Sequence, residues 1–315
     1  MKPRSTNQHY VPQFLLRNFA SSPGGKQIYV YDKAEERSFS SPIDKVASAR
    51  AFYDFEVDGV VDSIDPLLGK LESATSAVIR NITQARSLRG LSTTSRTLVS
   101  LFAVVQMLRT EAHRKQSKAL IDDLHDVVKR AGWNPDKVEG FDFLDEEEVR
   151  VASITSLREL ARALLPHFVN KHWVLYSAPQ GSSLYISDNP VALFNLNQDP
   201  VRSTLGLRVP GIQVYLPLSS DLCLGFLCPT IADTVRGSYE LAREFGHPVP
   251  CHVESLIRAL DGGDTLPLGP ANVIHQNSLQ VANAERFVFC DSDNFAPVRE
   301  MIHSSEEFKA GPRSE

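Results

Sequence analysis

Hydrophobic positions along the chain fall into two textures, and the boundary lies near residue 170. Before it, apolar residues recur three and four apart, as a helix with one buried face requires. In "VDSIDPLLGKLESATSAVIRNITQAR" the spacing at Leu67, Leu68, Leu71, Ala74, Val78 and Ile82 predicts one such helix. A longer helix is predicted from about Thr94 to Arg130, capped by Ser92 or Thr93 and stopped at "AGWNPDK". Another runs from "DEEEVR", whose acidic start suits the helix dipole, to about Phe168. Ahead of these, "KQIYVYDKAEERSFSS" alternates around a charged turn and predicts a hairpin.

From His172 the apolar runs become short and strand-like. "HWVLYSAPQGSSLYISDNPVALFNL" predicts two strands around a Gly-Ser turn, a break at "SDNP" and a further strand, while "GIQVYLPLSSDLCLGFLCP" predicts a second strand pair. Helical spacing returns at "TIADTVRGSYELAREF" and "PANVIHQNSLQVANA", and "ERFVFCDS" reads as a late strand. The predicted class is α+β, one domain over residues 1–315. A mainly helical lobe, 1–170, packs on a mainly antiparallel sheet with helices, 171–315, and a polar cleft lies between them.

The segment "NQHYVPQFLLRNFA" is the least ordinary part of this pattern. Pro12 has its φ preset for a first helical turn, so a short helix is predicted from about Pro12 to Phe19, ended by "SSPGG". Phe14, Leu15 and Phe19 share a buried side, and Gln13 and Arg17, four apart, share another. His9 and Tyr10 enter from extended chain, because residues ahead of a proline avoid the helical region. The result is an anchored plug with a polar edge of His9, Gln13 and Arg17.

Composition narrows the class without choosing a function. Hydrophobic residues at 42% and charged residues at 23% are ordinary globular usage, and a net charge of -5 argues against a protein that coats nucleic acid. Four cysteines are sparse, with Cys223 and Cys290 inside apolar strand-like runs, which predicts buried thiols in a reducing compartment. Cys223, Cys228, Cys251 and His252 lack the paired short spacing of a zinc site. No apolar signal region opens the chain and "LVSLFAVVQML" is too short to span a bilayer, so a cytoplasmic location without a membrane partner is expected.

Several polar residues sit where an apolar one is expected. Gln106 interrupts the run Leu101–Leu108, and Arg109 and His113 follow on its face at three and seven residues. A buried amide beside a guanidinium requires partners, supplied either by a ligand or by an internal hydrogen-bond network. Asp188 and Asn189 stand at a strand end before a proline, and Gln276, Gln280 and Asn283 form a helical stripe with Asn277 beside it. No Walker loop, Gly-x-Ser-x-Gly elbow or His-Glu-x-x-His helix is present, so no metal site is expected and the cofactor is left open.

The segments "HYVPQFLLRNFA", "AFYD", "FAVVQMLRTEAHR", "HW" followed by "YISDNPV", "VYLPLS" and "NSLQVANAERFVF" together resemble the bacterial domain of unknown function numbered 4238, over nearly the whole chain. The resemblance selects His9, Tyr10, Pro12, Gln13, Leu16 and Phe19 in the opening motif, and Phe52, Tyr53 and Asp54 in an aromatic turn. It also selects Gln106, Arg109 and Thr110, then Asp188, Asn189 and Pro190, and finally Asn277. Glu111 departs from the pattern, since the family often has a proline there, marking a helix kink.

Polar residues selected in five separate segments imply one shared pocket. The first functional expectation is a metal-independent hydrolase or nuclease acting on a phosphate-containing substrate, with a nucleotide or nucleic acid as partner. His9 and Asp188 are its catalytic pair; Gln13, Arg17, Gln106, Arg109, Asn189 and Asn277 bind substrate. A toxin or phage-defence role would suit a standalone bacterial protein of this kind. The second expectation is a nucleotide or small-anion sensor, favoured by the many amides, and the third is a structural polar network with no ligand.

Overall fold

Strands that are apolar at every position are stable only with both faces covered, and the arrangement of the chain follows from that requirement. The computed structural model describes residues 7–57, 60–134, 144–196 and 205–312. The chain opens with a short strand β1 (Asn7–His9) and a one-turn helix α1 (Gln13–Leu16), extended by a 3-10 turn over Arg17–Phe19. Strands β2 (Gln27–Asp32) and β3 (Arg37–Pro42) form the expected hairpin, followed by β4 (Ser48–Arg50), β5 (Asp54–Val57) and β6 (Val60–Ser63). Helices α2 (Asp65–Ala85), α3 (Thr93–Leu108), α4 (Glu111–Arg130), α5 (Glu146–Thr155), α6 (Leu157–Leu164) and α7 (Pro166–Val169) come next. The remainder is β7 (His172–Ser177), β8 (Ile186–Ser187), β9 (Ala192–Asn195), β10 (Ile212–Ser219), β11 (Leu222–Leu227), α8 (Pro229–Glu244), α9 (Cys251–Gly262), β12 (Thr265–Pro267), α10 (Pro270–Asn283), β13 (Phe287–Cys290) and α11 (Ala296–Ser304). The class is α+β.

The central sheet has the order β12-β7-β11-β10-β9, antiparallel except for the β12–β7 pair. On one face Leu175, Val214, Leu216, Leu224 and Phe226 join a core with Phe102, Val99 and Phe168 of the helical region and Leu15, Leu16 and Phe19 of the plug. On the other, Val174, Tyr176, Tyr215 and Cys223 pack with Ala259 of α9 and Val273 of α10. A Cβ on Gly225 would come 2.6 Å from the Tyr176 ring, so this register position requires glycine.

The second sheet, β3-β2-β13-β8, joins the early hairpin to the last strand. The chain is therefore not divided cleanly at residue 170, and β7 and β8, expected as a hairpin, lie in different sheets. The long helix expected to reach Arg130 is broken at Arg109–Thr110. Thr110 takes extended angles and its hydroxyl accepts from His113 N at 3.3 Å, so a Thr cap restarts the helix although Glu111, not a proline, follows it. The next helix is also divided, partly because Pro166 cannot donate to the preceding turn. Cys223 and Cys290 are buried free thiols, and Cys251 is exposed.

Segment 183–191 has little strand pairing, and α10 takes the place of a neighbouring strand. Asn277 accepts from Tyr185 N at 2.8 Å and donates to Ser183 O at 2.9 Å. Gln280 accepts from Ser187 N at 3.0 Å and donates to Pro190 O at 3.0 Å, and Asn283 donates to Val191 O at 3.1 Å. Asp188 closes the junction between α10 and β13, accepting from the backbone N–H groups of Glu285, Arg286 and Phe287 at 2.7, 2.8 and 2.8 Å. Asp188→Ala is expected to lower stability by about 2–4 kcal/mol, because it strands buried donors, and Asp188→Asn to lose nearly as much, since an amide NH2 would oppose an N–H. Urea unfolding of both variants checks this, and a loss below about 0.5 kcal/mol in each would contradict it.

Candidate functional site

The plug is built by hydrogen bonds that leave His9 facing outward. β1 pairs with β4, and strand alternation turns Gln8 inward while His9 lies on the other side. Gln8 accepts from Tyr53 N at 2.6 Å and donates to Asp54 at 2.7 Å; the Tyr53 hydroxyl donates to His9 O at 3.2 Å. Phe52, stacked beneath the Arg114 guanidinium, and Tyr53 pack edge to face. The aromatic turn selected from the sequence is thus the clamp on β1.

A cleft of about 400 Å³ separates this plug from α2, with His9, Gln13 and Arg17 on one wall and Asp65, Glu72 and Ser76 on the other. Gln13 Nε2 lies 3.5 Å from His9 Nε2, and Gln13 Oε1 accepts from the Arg17 guanidinium at 2.8 Å, one helical turn along. Asp65, Gly69, Glu72, Ser73 and Ser76 occupy one stripe of α2, and a Cβ on Gly69 would meet nothing within 4 Å.

Behind the cleft runs a buried polar relay. Gln106 donates to Tyr10 O at 2.8 Å and accepts from Arg109 Nε at 2.8 Å, while Arg109 Nη1 pairs with Glu72 at 2.7 Å. Arg109 Nη2 has no partner among the described residues. Burial lowers the His9 pKa below its ordinary value; Glu72, a backbone hydrogen bond to Ile43, and Asp44 oppose the shift, and Arg109 adds to it. Asp65 is raised above its ordinary value, first by burial and then by the charge of Glu72.

The expected cluster is therefore split. His9, Gln13 and Arg17 line the cleft. Gln106 and Arg109 stand behind it, holding the plug and Glu72. Asp188 does not pair with His9: its carboxylate accepts three backbone N–H groups, and burial pushes its pKa up to about 6 even though those hydrogen bonds oppose the shift. Asn189 donates to Asn283 O at 3.0 Å and accepts from the Thr110 hydroxyl, and Asn277 holds the 183–185 backbone, so neither belongs to the cleft. The cleft lies inside the helical region rather than between that region and the sheet. Asp65 and Glu72 were missed because the apolar face of α2 already accounts for a helix; their signal was polar residues spaced seven apart beside a helical glycine.

Among the described residues, no group of three or more His, Cys, Asp or Glu is arranged to hold a metal ion, and no helix is long and apolar enough to cross a membrane. No curated protein and no solved structure matches the chain. A family model described as a protein of unknown function (DUF4238) matches residues 7–294, from the start of the plug to just beyond β13. With the plug, the aromatic clamp, the relay and the α10 junction all inside that span, the chain belongs to the DUF4238 family.

Proposed function

We propose that the cleft hydrolyses a phosphate ester, with His9 moving the first proton. The observation that carries this reading is the placement of His9 and Asp65 on facing walls of one cleft with opposed shifts: the imidazole is held toward its neutral form and the carboxyl toward its protonated form. Neutral His9 takes a proton from the attacking water or hydroxyl as its oxygen bonds to phosphorus. Asp65 gives its proton to the leaving oxygen as that phosphorus–oxygen bond breaks. Arg17, exposed at the cleft mouth and aligned by Gln13, holds the phosphate.

The acids on α2 refine the substrate. Glu72, ion-paired with Arg109, repels a polyanion lying across that wall but accepts hydrogen bonds from sugar hydroxyls. A phosphodiester or nucleotide, charged at one end and hydroxylated at the other, fits both walls. The amides that favoured a sensor give that reading little support, since Gln106, Asn189 and Asn277 are occupied by internal partners.

Two results test the proposal, with RNA, DNA and nucleoside phosphates assayed with and without chelator. His9→Ala is expected to cut kcat about a hundredfold or more with an unchanged circular dichroism spectrum, and Arg17→Ala to raise KM with a smaller effect on kcat. Turnover untouched by His9→Ala, or ligand binding without turnover, would contradict a hydrolytic role. The pH profile should be bell-shaped: activity rises as His9 loses its proton, at a pKa below 6.5, and falls as Asp65 loses its own, at a pKa above 3.8. The optimum then lies on the acid side of neutrality, and Asp65→Asn removes the alkaline limb.

A further inference from the structure

The face of α2 turned away from the cleft borders a second cavity of quite different chemistry. It has a volume of about 820 Å³ and is walled by Leu67, Leu68, Leu71, Leu101, Val105 and Leu157 among other apolar residues of α2, α3 and α6. Ligand pockets for small molecules span about 300–1,000 Å³ and are mainly apolar with a few placed polar groups. Leu67 is 62% exposed at its mouth, as the wall of an apolar binding site is and a finished core is not.

Charge selects the occupant. The charged residues lining the cavity are Lys70, Arg158 and Arg162, and no described lining residue is acidic. All three cations are exposed, and none forms an ion pair or a side-chain hydrogen bond among the described residues. Long basic side chains at the rim of an apolar hollow lay their stems on its wall and present their charge to an anionic head group. We propose that this cavity binds a free single-chain anionic amphiphile, a long-chain carboxylate, with its tail among the α2, α3 and α6 leucines and its head at Lys70, Arg158 and Arg162. The site is independent of the hydrolytic reading of the cleft, although α2 forms a wall of both.

The test is calorimetry on the full chain with laurate, myristate and palmitate below their aggregation limits, beside alkyl trimethylammonium ions of equal length. Carboxylates are expected to bind one per chain, each added methylene tightening binding about fourfold until the cavity is filled. The cationic amphiphiles are expected not to bind. Arg158→Gln with Arg162→Gln should weaken the carboxylates at least tenfold, and Ala74→Trp, which fills the cavity from an exposed position, should abolish binding. Thermal unfolding and circular dichroism verify that both variants are folded, and variants at Lys70 provide a second substitution if either is not. Equal binding of cationic and anionic chains, binding that survives Ala74→Trp, or binding to anionic phospholipid vesicles alone would overturn the proposal. So would light scattering that shows a dimer dissociated by Ala74→Trp, because the cavity would then be a contact between copies.

Discussion

The buried relay Tyr10–Gln106–Arg109–Glu72 is the constraint on which the rest of the site depends. A guanidinium with a 2% exposed side chain is costly to bury, and this one is offset by an amide oxygen and one carboxylate. Because Gln106 spends its other end on Tyr10 O, the same charge ties the N-terminal plug to α3, and through Glu72 ties α3 to α2. The two walls of the cleft are thereby fixed to one internal group. Arg109 also acts at a distance, since its charge opposes that of Glu72 on the His9 ring.

A second set of polar side chains does comparable work without approaching the cleft. The backbone from Ser183 to Val191 leaves one sheet and enters another, and most of its N–H and C=O groups have no strand beside them. Buried backbone groups must nonetheless be paired. Asn277, Gln280 and Asn283, three residues apart on α10, meet that need, and Asp188 returns the favour by capping the chain as it leaves α10. Lys33, fully buried, secures the same junction by donating to Val281 O at 2.8 Å and Ala284 O at 2.6 Å. Two segments far apart in the chain, one at a strand end and one on a helix, are thus the two halves of one interlock.

Much of the fold was legible in the sequence. Period-3.6 spacing located α2 and α10, strand-like apolar runs located β10 and β11, and alternation located the β2–β3 hairpin. The breaks were harder, because Thr110 is an acceptable helix residue until its hydroxyl caps the following turn. Pairing across long separations was not legible: nothing local tells β8 to join β13, about a hundred residues away, rather than β7. The site shows the same limit. His9, Gln13 and Arg17 form a local motif and could be grouped from spacing alone. Gln106, Asp188 and Asn277 stand out from the sequence around them, but an amide or carboxylate in an apolar segment has the same pattern whether its partner is a ligand or a backbone group.

The account rests on His9 being held beside Glu72 and in front of Arg109, partly withdrawn from water. The most direct measurement is an NMR titration of the His9 ring in the native chain and in Glu72→Gln, assigned by comparison with His9→Ala. The account predicts a native pKa below 6.5, and a further decrease in Glu72→Gln, where the carboxylate that favours the imidazolium is gone while the Arg109 charge remains. A ring that titrates at the ordinary 6.5 and does not respond to Glu72→Gln would place His9 in open water and contradict it.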